Sequence, residues 1–213
     1  SNYSVTVKNG DELPDFETLR KHVTALIEKI SQKQQAKAFE RSYMGPVLLS
    51  GYRAAVIIYQ CFTSPLQAKR KSILGYNSGE TNYEEKLGQK LVSADLTVSA
   101  IPSLKTFNGK NTTGYFQIDD EGVVPPDSLV LIEDGILKAL MNGRTPTKRF
   151  PQSQGFAQSF MGRNYNAGVL QLTADKTTSI DSMKARLIRL AKEEGLPAAY
   201  IVNDLSFNTP EIY

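Results

Sequence analysis

The chain of 213 residues has few of the side chains that most often perform catalysis or bind metals. It contains one histidine (His22), one cysteine (Cys61) and no tryptophan. A single histidine leaves almost nothing for a metal site built from several histidines. A single cysteine excludes an internal disulfide framework and weakly favours a reducing, cytoplasmic location. A cysteine protease would need Cys61 beside His22, but these residues fall on different predicted helices, so we interpret Cys61 as a small buried hydrophobe.

Strong charge and long apolar runs are also lacking. The net charge is only +3, and the basic residues are scattered apart from Lys69-Arg70-Lys71. We interpret that cluster as a solvated helix face, with binding of phosphate or an acidic partner as the alternative. No apolar run approaches the roughly 20 residues of a membrane span. We therefore expect a soluble globular protein with neither nucleic acid nor membrane as a partner.

The two ends of the sequence suggest a fragment of a longer chain. Ser1-Asn2 resembles the residues left after tag cleavage, and the segment 208–213 carries no terminating signal. We expect residues 1–41 to form an N-terminal strand and a linking helix, and residues 42–213 to form the main domain.

The stretch 45–64 is the most informative part of the chain. Residues 47–49 are an apolar run that suits a short buried strand, and Ser50 is a good N-cap for a following helix. Residues 54–58 are apolar, which predicts a buried helix that ends near Ser64-Pro65. Its polar last turn is the first place to look for chemistry.

Local patterns elsewhere predict a mixture of helices and strands. Asp134-Gly135 lies between two apolar runs and predicts a type I′ hairpin. The other predicted elements are helices starting at Asp15, at Ser64-Pro65 and at residue 180, and strands at 96–101, 115–118, 169–174 and 198–204. These elements predict an α+β fold with a largely antiparallel sheet and flanking helices.

Two loops are candidates for binding. The basic loop 144–163 could clamp a peptide or an anion through its cations, or pack over the sheet through its phenylalanines. The cations are Arg144, Lys148, Arg149 and Arg163, and the phenylalanines are Phe150, Phe156 and Phe160. The acidic segment 119–121 could bind a hard cation, but it lacks the spacing of a calcium loop and suits a solvated turn better. The residues alone therefore indicate a soluble α+β domain with peptide- or partner-binding loops.

Four segments, in this order, resemble the TldD/PmbA family, also called modulators of DNA gyrase, whose active members are zinc metallopeptidases. The segments are Tyr43-Met-Gly-Pro-Val-Leu-Leu-Ser-Gly-Tyr-Arg-Ala-Ala, Phe116-Gln-Ile-Asp-Asp-Glu-Gly-Val-Val-Pro, Leu129-Val-Leu-Ile-Glu-Asp-Gly-Ile-Leu-Lys-Ala-Leu and Glu194-Gly-Leu-Pro-Ala-Ala-Tyr-Ile-Val. The resemblance is to the C-terminal domain of the family and implies its fold.

The resemblance also implies where a zinc site would lie. Active members carry His-Glu-x-x-x-His on the helix after the Gly-Pro-Val-Leu-Leu strand, and this motif falls on Tyr59, Gln60 and Ser64 here. None of these residues replaces the histidine ligands or the glutamate base. The remaining ligand of the family, a cysteine, would fall beyond Tyr213, and Cys61 does not correspond to it. We therefore expect no catalytic residue, no metal ligand and no cofactor in this chain.

The family resemblance further implies a partner. A member that lacks the motif pairs with one that bears it, so we expect a homodimer or a heterodimer with a motif-bearing relative. Our leading hypothesis is a non-catalytic homologue that binds a partner subunit and an extended peptide. The alternatives are an active zinc-dependent peptidase whose site residues come from another domain or subunit, and a modulator of DNA gyrase acting through protein contact.

Overall fold

The computed structural model describes residues 5, 7, 9–35, 42–70, 83–158 and 165–203. The α-helices in these ranges are α1 (Phe16–Gln35), α2 (Gly51–Phe62) and α3 (Ile180–Glu193). The strands are β1 (Val47–Leu49), β2 (Leu96–Ala100), β3 (Thr106–Phe107), β4 (Lys110–Asn111), β5 (Leu129–Glu133), β6 (Ile136–Leu137), β7 (Leu170–Ala174) and β8 (Tyr200–Val202). Short 3-10 helices lie at Gly10–Glu12 and Tyr83–Lys86.

The chain divides into two compact units. One unit comprises Ser1–Met44 with Lys105–Thr113, and the other comprises Gly45–Leu104 with Gly114–Tyr213. The predicted boundary between residues 41 and 42 stays a prediction.

The smaller unit contains α1 and the β3–β4 hairpin. Asp15 caps α1 as predicted, because its Oδ1 accepts a hydrogen bond from the Thr18 amide at 2.7 Å. Large apolar side chains are exposed along α1, with Phe16 76% and Ile27 63% accessible. They are Phe16, Leu19, Val23, Ile27 and Ile30. The β3–β4 hairpin turns at Asn108-Gly109, within a segment predicted as a loop, and both turn residues have positive φ.

The larger unit is built on a four-stranded antiparallel sheet with the order β6-β5-β2-β7. This sheet and the helices confirm the predicted α+β class. The closing strand β8 lies apart from that sheet and pairs in parallel with β1, and α3 packs against β1. Leu131 and Ile132 on β5 are neighbours that point to opposite faces, yet both are fully buried. The sheet is therefore covered on both faces at this point.

The β5–β6 hairpin confirms the clearest local prediction. Asp134 and Gly135 have φ values of 50° and 77°, as a type I′ turn requires. The turn is also tied to the preceding segment, because the Leu91 amide donates to the Gly135 carbonyl at 2.8 Å and the Gly135 amide donates to the Leu96 carbonyl at 2.9 Å.

Two predicted elements are wrong in the described residues. Residues 66–68 do not start a helix: Gln67 forms a parallel bridge with Met141, and the Ala68 amide donates to the Met141 carbonyl at 2.8 Å. Leu66 and Ala68 are fully buried there, so pairing with a distant segment overrides the local Ser-Pro signal. Residues 115–118 are not a strand, although Phe116 packs against the core.

Candidate functional site

The junction between β1 and α2 is held by β8. The Ser50 amide donates to the Val202 carbonyl at 3.2 Å, and the Ser50 hydroxyl donates to the same oxygen at 3.4 Å. Ser50 is the N-cap residue by position, but its hydroxyl makes no capping bond, so the predicted cap is wrong in its chemistry. The parallel pairing of β1 with β8 therefore fixes where α2 begins.

Helix α2 is not buried, contrary to the sequence prediction. None of its residues falls in the buried class, and Tyr52 and Tyr59 are 74% and 61% accessible. Phe62, the last residue of α2, packs against the hydrophobic core. An apolar composition shows that a helix has surface to cover, but it does not show that the same domain covers it.

The positions of the family motif do not form a metal site. Tyr59 is exposed, Gln60 is half-buried, and Ser64 is exposed in the turn that follows the end of α2 at Phe62. The Tyr59 carbonyl accepts from the Thr63 amide at 2.9 Å and from the Thr63 hydroxyl, and these bonds close the last turn. A phenol, a neutral amide and a hydroxyl do not fit zinc, which takes imidazole, thiolate and carboxylate ligands.

Among the described residues, the other side chains that can bind zinc do not assemble into a substitute site. His22 lies on α1 in the smaller unit, and Cys61 is half-buried within α2. Desolvation raises the pKa of the Cys61 thiol, so the thiolate that a metal requires is disfavoured. No group of three or more histidine, cysteine or acidic side chains suited to a metal occurs among the described residues.

The acidic segment 119–121 has a structural use. The Asp119 side chain is buried and accepts hydrogen bonds from the amides of Glu121 at 3.0 Å, Val123 at 2.8 Å and Ala157 at 3.0 Å. The Glu121 carboxylate accepts from the Arg144 amide. The prediction of a solvated turn is therefore wrong for Asp119. Its buried carboxylate takes the place of water as the acceptor for three backbone amides.

Part of the predicted basic loop lies beside a second cluster of cations. An open groove of about 790 Å³ is lined by Lys69, Arg70, Glu84, Glu85, Pro146, Thr147, Lys148 and Arg149, and we call it the basic groove. Arg144 is exposed and is not part of its lining, and Arg163 lies outside the described residues. Phe150 and Phe156 pack in or against the core, as the packing interpretation of this loop expects, and Phe160 lies outside the described residues.

Sequence reasoning does not find the groove. The Lys69-Arg70-Lys71 cluster is visible in the sequence but is interpreted there as a helix face, and nothing local relates it to residues 148–149.

Of the described helices, none is long and apolar enough to cross a membrane.

Comparison with known proteins places the chain in a family. The family model described as the PmbA/TldA metallopeptidase C-terminal domain matches residues 41–199. The match covers well over half of the chain, so the chain belongs to this family of metallopeptidase C-terminal domains.

The individual relatives share less than a third of their residues with this chain in the aligned regions. A curated protein from Archaeoglobus fulgidus named metalloprotease is 28% identical over 113 residues, which is 53% of this chain and 24% of that protein. A crystal structure from Thermotoga maritima, described as a candidate modulator of a DNA gyrase, is 18% identical with a TM-score of 0.47 and covers 65% of this chain and 30% of its own. TldE from Thermococcus kodakarensis is 20% identical with a TM-score of 0.41, covering 65% and 28% respectively. The chain thus spans only about a quarter to a third of these relatives.

Proposed function

We propose that this chain is a non-catalytic member of its metallopeptidase family that acts by binding a partner subunit and an extended peptide. The observation that supports the proposal most directly is the set of residues at the motif positions. The family resemblance lays its motif of two histidines and a glutamate on Tyr59, Ser64 and Gln60, none of which is a histidine or a glutamate.

The chemistry of these residues supports a non-catalytic role. Zinc hydrolases need ligands that lower the pKa of bound water, and a base that takes its proton. The amide of Gln60 cannot act as that base, since it is neutral and not basic near pH 7. His22 is the only histidine of the whole chain, so no shift in alignment restores the pair.

Partner binding is supported by the exposed face of α2. Tyr52, Ala55 and Tyr59 are spaced by three and four residues, so they lie along one side of the helix, and all three are exposed. Tyrosine is enriched at protein interfaces because it offers a large apolar ring with a polar tip. We infer that this surface, the α2 face, contributes to the contact with the partner subunit.

A second candidate is an active zinc-dependent peptidase whose site residues come from another domain or subunit. It is favoured by one observation: the relatives are much longer than the segment that this chain matches. The two candidates differ in what this chain does alone and in what a motif-bearing relative does in its presence.

The separating experiment measures zinc content and peptide cleavage for the full chain alone and mixed with a relative that keeps His-Glu-x-x-x-His. The proposal expects no cleavage by the chain alone with added zinc, and association with the relative in light scattering. Cleavage by the chain alone, with one zinc bound per chain, would refute the non-catalytic role. Cleavage by the mixture that neither protein shows alone, lost when the motif histidines of the relative are replaced, would favour the second candidate.

Variants of the α2 face test its part in association. Tyr52→Ser with Tyr59→Ser should weaken association with the partner, because both exposed rings would be removed. Ile188→Ser on α3 is the matched control, since Ile188 is also an exposed apolar residue, 52% accessible. Equal association of both variants would exclude the α2 face.

A further inference from the structure

The basic groove joins two cationic segments that are far apart in the sequence. Lys69 and Arg70 line it together with Lys148 and Arg149, and Glu84 and Glu85 are also in the lining. A volume of about 790 Å³ is in the range of small-ligand and peptide pockets, and exceeds what a single small ion fills.

The wall that carries Lys69 and Arg70 is anchored to the core. Just before it, Leu66 and Ala68 are fully buried, and the Met141 amide donates to the Leu66 carbonyl at 2.9 Å. The Gln67 side chain donates to the Tyr165 carbonyl at 2.9 Å. Arg70, three residues after Gln67, is exposed. The backbone is therefore hydrogen-bonded to the core up to Ala68, one residue before Lys69.

The segment that carries Lys148 and Arg149 is a turn held by one carboxylate. Glu84 Oε1 accepts hydrogen bonds from the Thr147 hydroxyl at 2.9 Å and from the Arg149 amide at 3.0 Å. The turn is closed by the Thr147 amide, which donates to the Phe150 carbonyl at 3.0 Å. Phe150 packs against the core. This arrangement holds the backbone that carries Lys148 and Arg149, and the two residues are exposed and line the groove.

The charge balance of the lining favours an anionic ligand. It contains four basic and two acidic side chains, and one of the acidic ones, Glu84, already accepts two hydrogen bonds from the wall. The described lining therefore carries a formal charge of +2. The planar guanidinium groups of Arg70 and Arg149 match a carboxylate with two parallel hydrogen bonds.

We propose that the basic groove binds an acidic, extended peptide segment, whose carboxylate side chains pair with Arg70 and Arg149. This inference rests on the peptide-binding part of the proposed function and locates it. The described lining residues include no aromatic ring of the kind on which single-stranded nucleic acid sites stack bases. Glu84 and Glu85 would repel a continuous phosphate backbone, whereas a peptide can place backbone amides or a basic residue opposite them.

The test uses fluorescein-labelled hexaglutamate as the probe and measures its fluorescence anisotropy with the full chain. Arg70→Glu with Arg149→Glu should abolish detectable binding, because both attractive contacts become repulsive. Arg70→Lys with Arg149→Lys keeps the charge but loses the paired geometry, and should weaken binding by roughly two- to ten-fold. The control, Arg189→Ala with Lys192→Ala, removes two exposed cations of α3 outside the groove and should bind like the parent chain.

Each outcome decides the proposal. Unchanged binding in the groove variants would overturn it. It would also be overturned if the parent chain bound the peptide with a Kd weaker than about 1 mM, which is about the weakest affinity that this titration resolves. Binding of labelled hexathymidylate as tight as that of hexaglutamate would also overturn it, since the site would then be a general polyanion site. Circular dichroism spectra of all variants should match the parent spectrum, because the substituted side chains are exposed. Failure here leaves the non-catalytic role intact, since that role is tested by zinc content and cleavage.

Discussion

Gln67 and Tyr165, 98 residues apart in the sequence, are joined by two hydrogen bonds between the Gln67 side chain and the Tyr165 backbone. Gln67 Nε2 donates to the Tyr165 carbonyl at 2.9 Å, and the Tyr165 amide donates to Gln67 Oε1 at 3.4 Å. The same Nε2 donates to the Thr63 carbonyl at 2.7 Å, just past the end of α2. One buried amide therefore ties the end of α2 to the segment at Tyr165.

Replacing this amide should destabilise the fold. Gln67→Ala leaves buried backbone groups of Tyr165 without partners, so we expect the free energy of unfolding to fall by about 1–3 kcal/mol. Urea denaturation measures the change, with Gln89→Ala as the control because Gln89 is exposed. The control should change stability by less than about 0.5 kcal/mol. Equal effects would contradict the role given to Gln67.

Asp119 should be required for stability and not for metal binding. Asp119→Ala leaves three backbone amides without their carboxylate, and we expect a loss of about 2–4 kcal/mol in urea denaturation. Asp127→Ala, at an exposed acidic residue nearby in the sequence, should be close to neutral. A calcium-dependent gain in melting temperature that Asp119→Ala removes would instead support a cation site.

The turn glycine Gly135 is under two separate constraints. It has φ of 77°, and a Cβ atom there would lie 2.5 Å from the Val92 carbonyl oxygen and 2.7 Å from that of Ser93. Gly88 has a similar φ of 82°, but the position that a Cβ would occupy there is open space, so Gly88→Ala carries the conformational cost alone. We expect about 1 kcal/mol of destabilisation for Gly88→Ala and clearly more for Gly135→Ala, measured by thermal unfolding. Equal losses would show that the backbone at Gly135 moves away without cost.

Cys61 should be a slow nucleophile near neutral pH. Desolvation raises the pKa of its thiol, so the thiolate fraction at pH 8 is smaller in the folded chain than in the unfolded chain. Its contribution to stability is present below the ordinary thiol pKa and is lost as the pH rises through the raised folded value. Labelling with a disulfide reagent at pH 8 should therefore be slower in buffer than in urea. Equal rates would contradict the assignment.

Much of the local structure is predictable from the sequence, because its signals act over a few residues. Asp134-Gly135 specifies its turn, and Asp15 caps α1. The stretch after Ser64 could not be predicted in this way, since Gln67 pairs with Met141, which is distant in the sequence.

The candidate site shows the same difference between features set by local sequence and features set by tertiary packing. That the chain cannot carry His-Glu-x-x-x-His follows from residue identity alone, because His22 is the single histidine of the sequence. The exposure of α2 does not, because an apolar helix indicates surface to be covered and leaves open which surface covers it. The basic groove could not be predicted either, since Arg70 and Arg149 come to line one cavity only through tertiary packing.

The most direct test of the central claim is the amount of zinc that the full chain binds at equilibrium. The measurement is dialysis against buffered zinc followed by elemental analysis, with Tyr59→Phe/Gln60→Ala/Ser64→Ala as the matched variant. The account predicts that both proteins retain far less than one equivalent, and that they do not differ. One equivalent of zinc on the parent chain, lost in the variant, would contradict it.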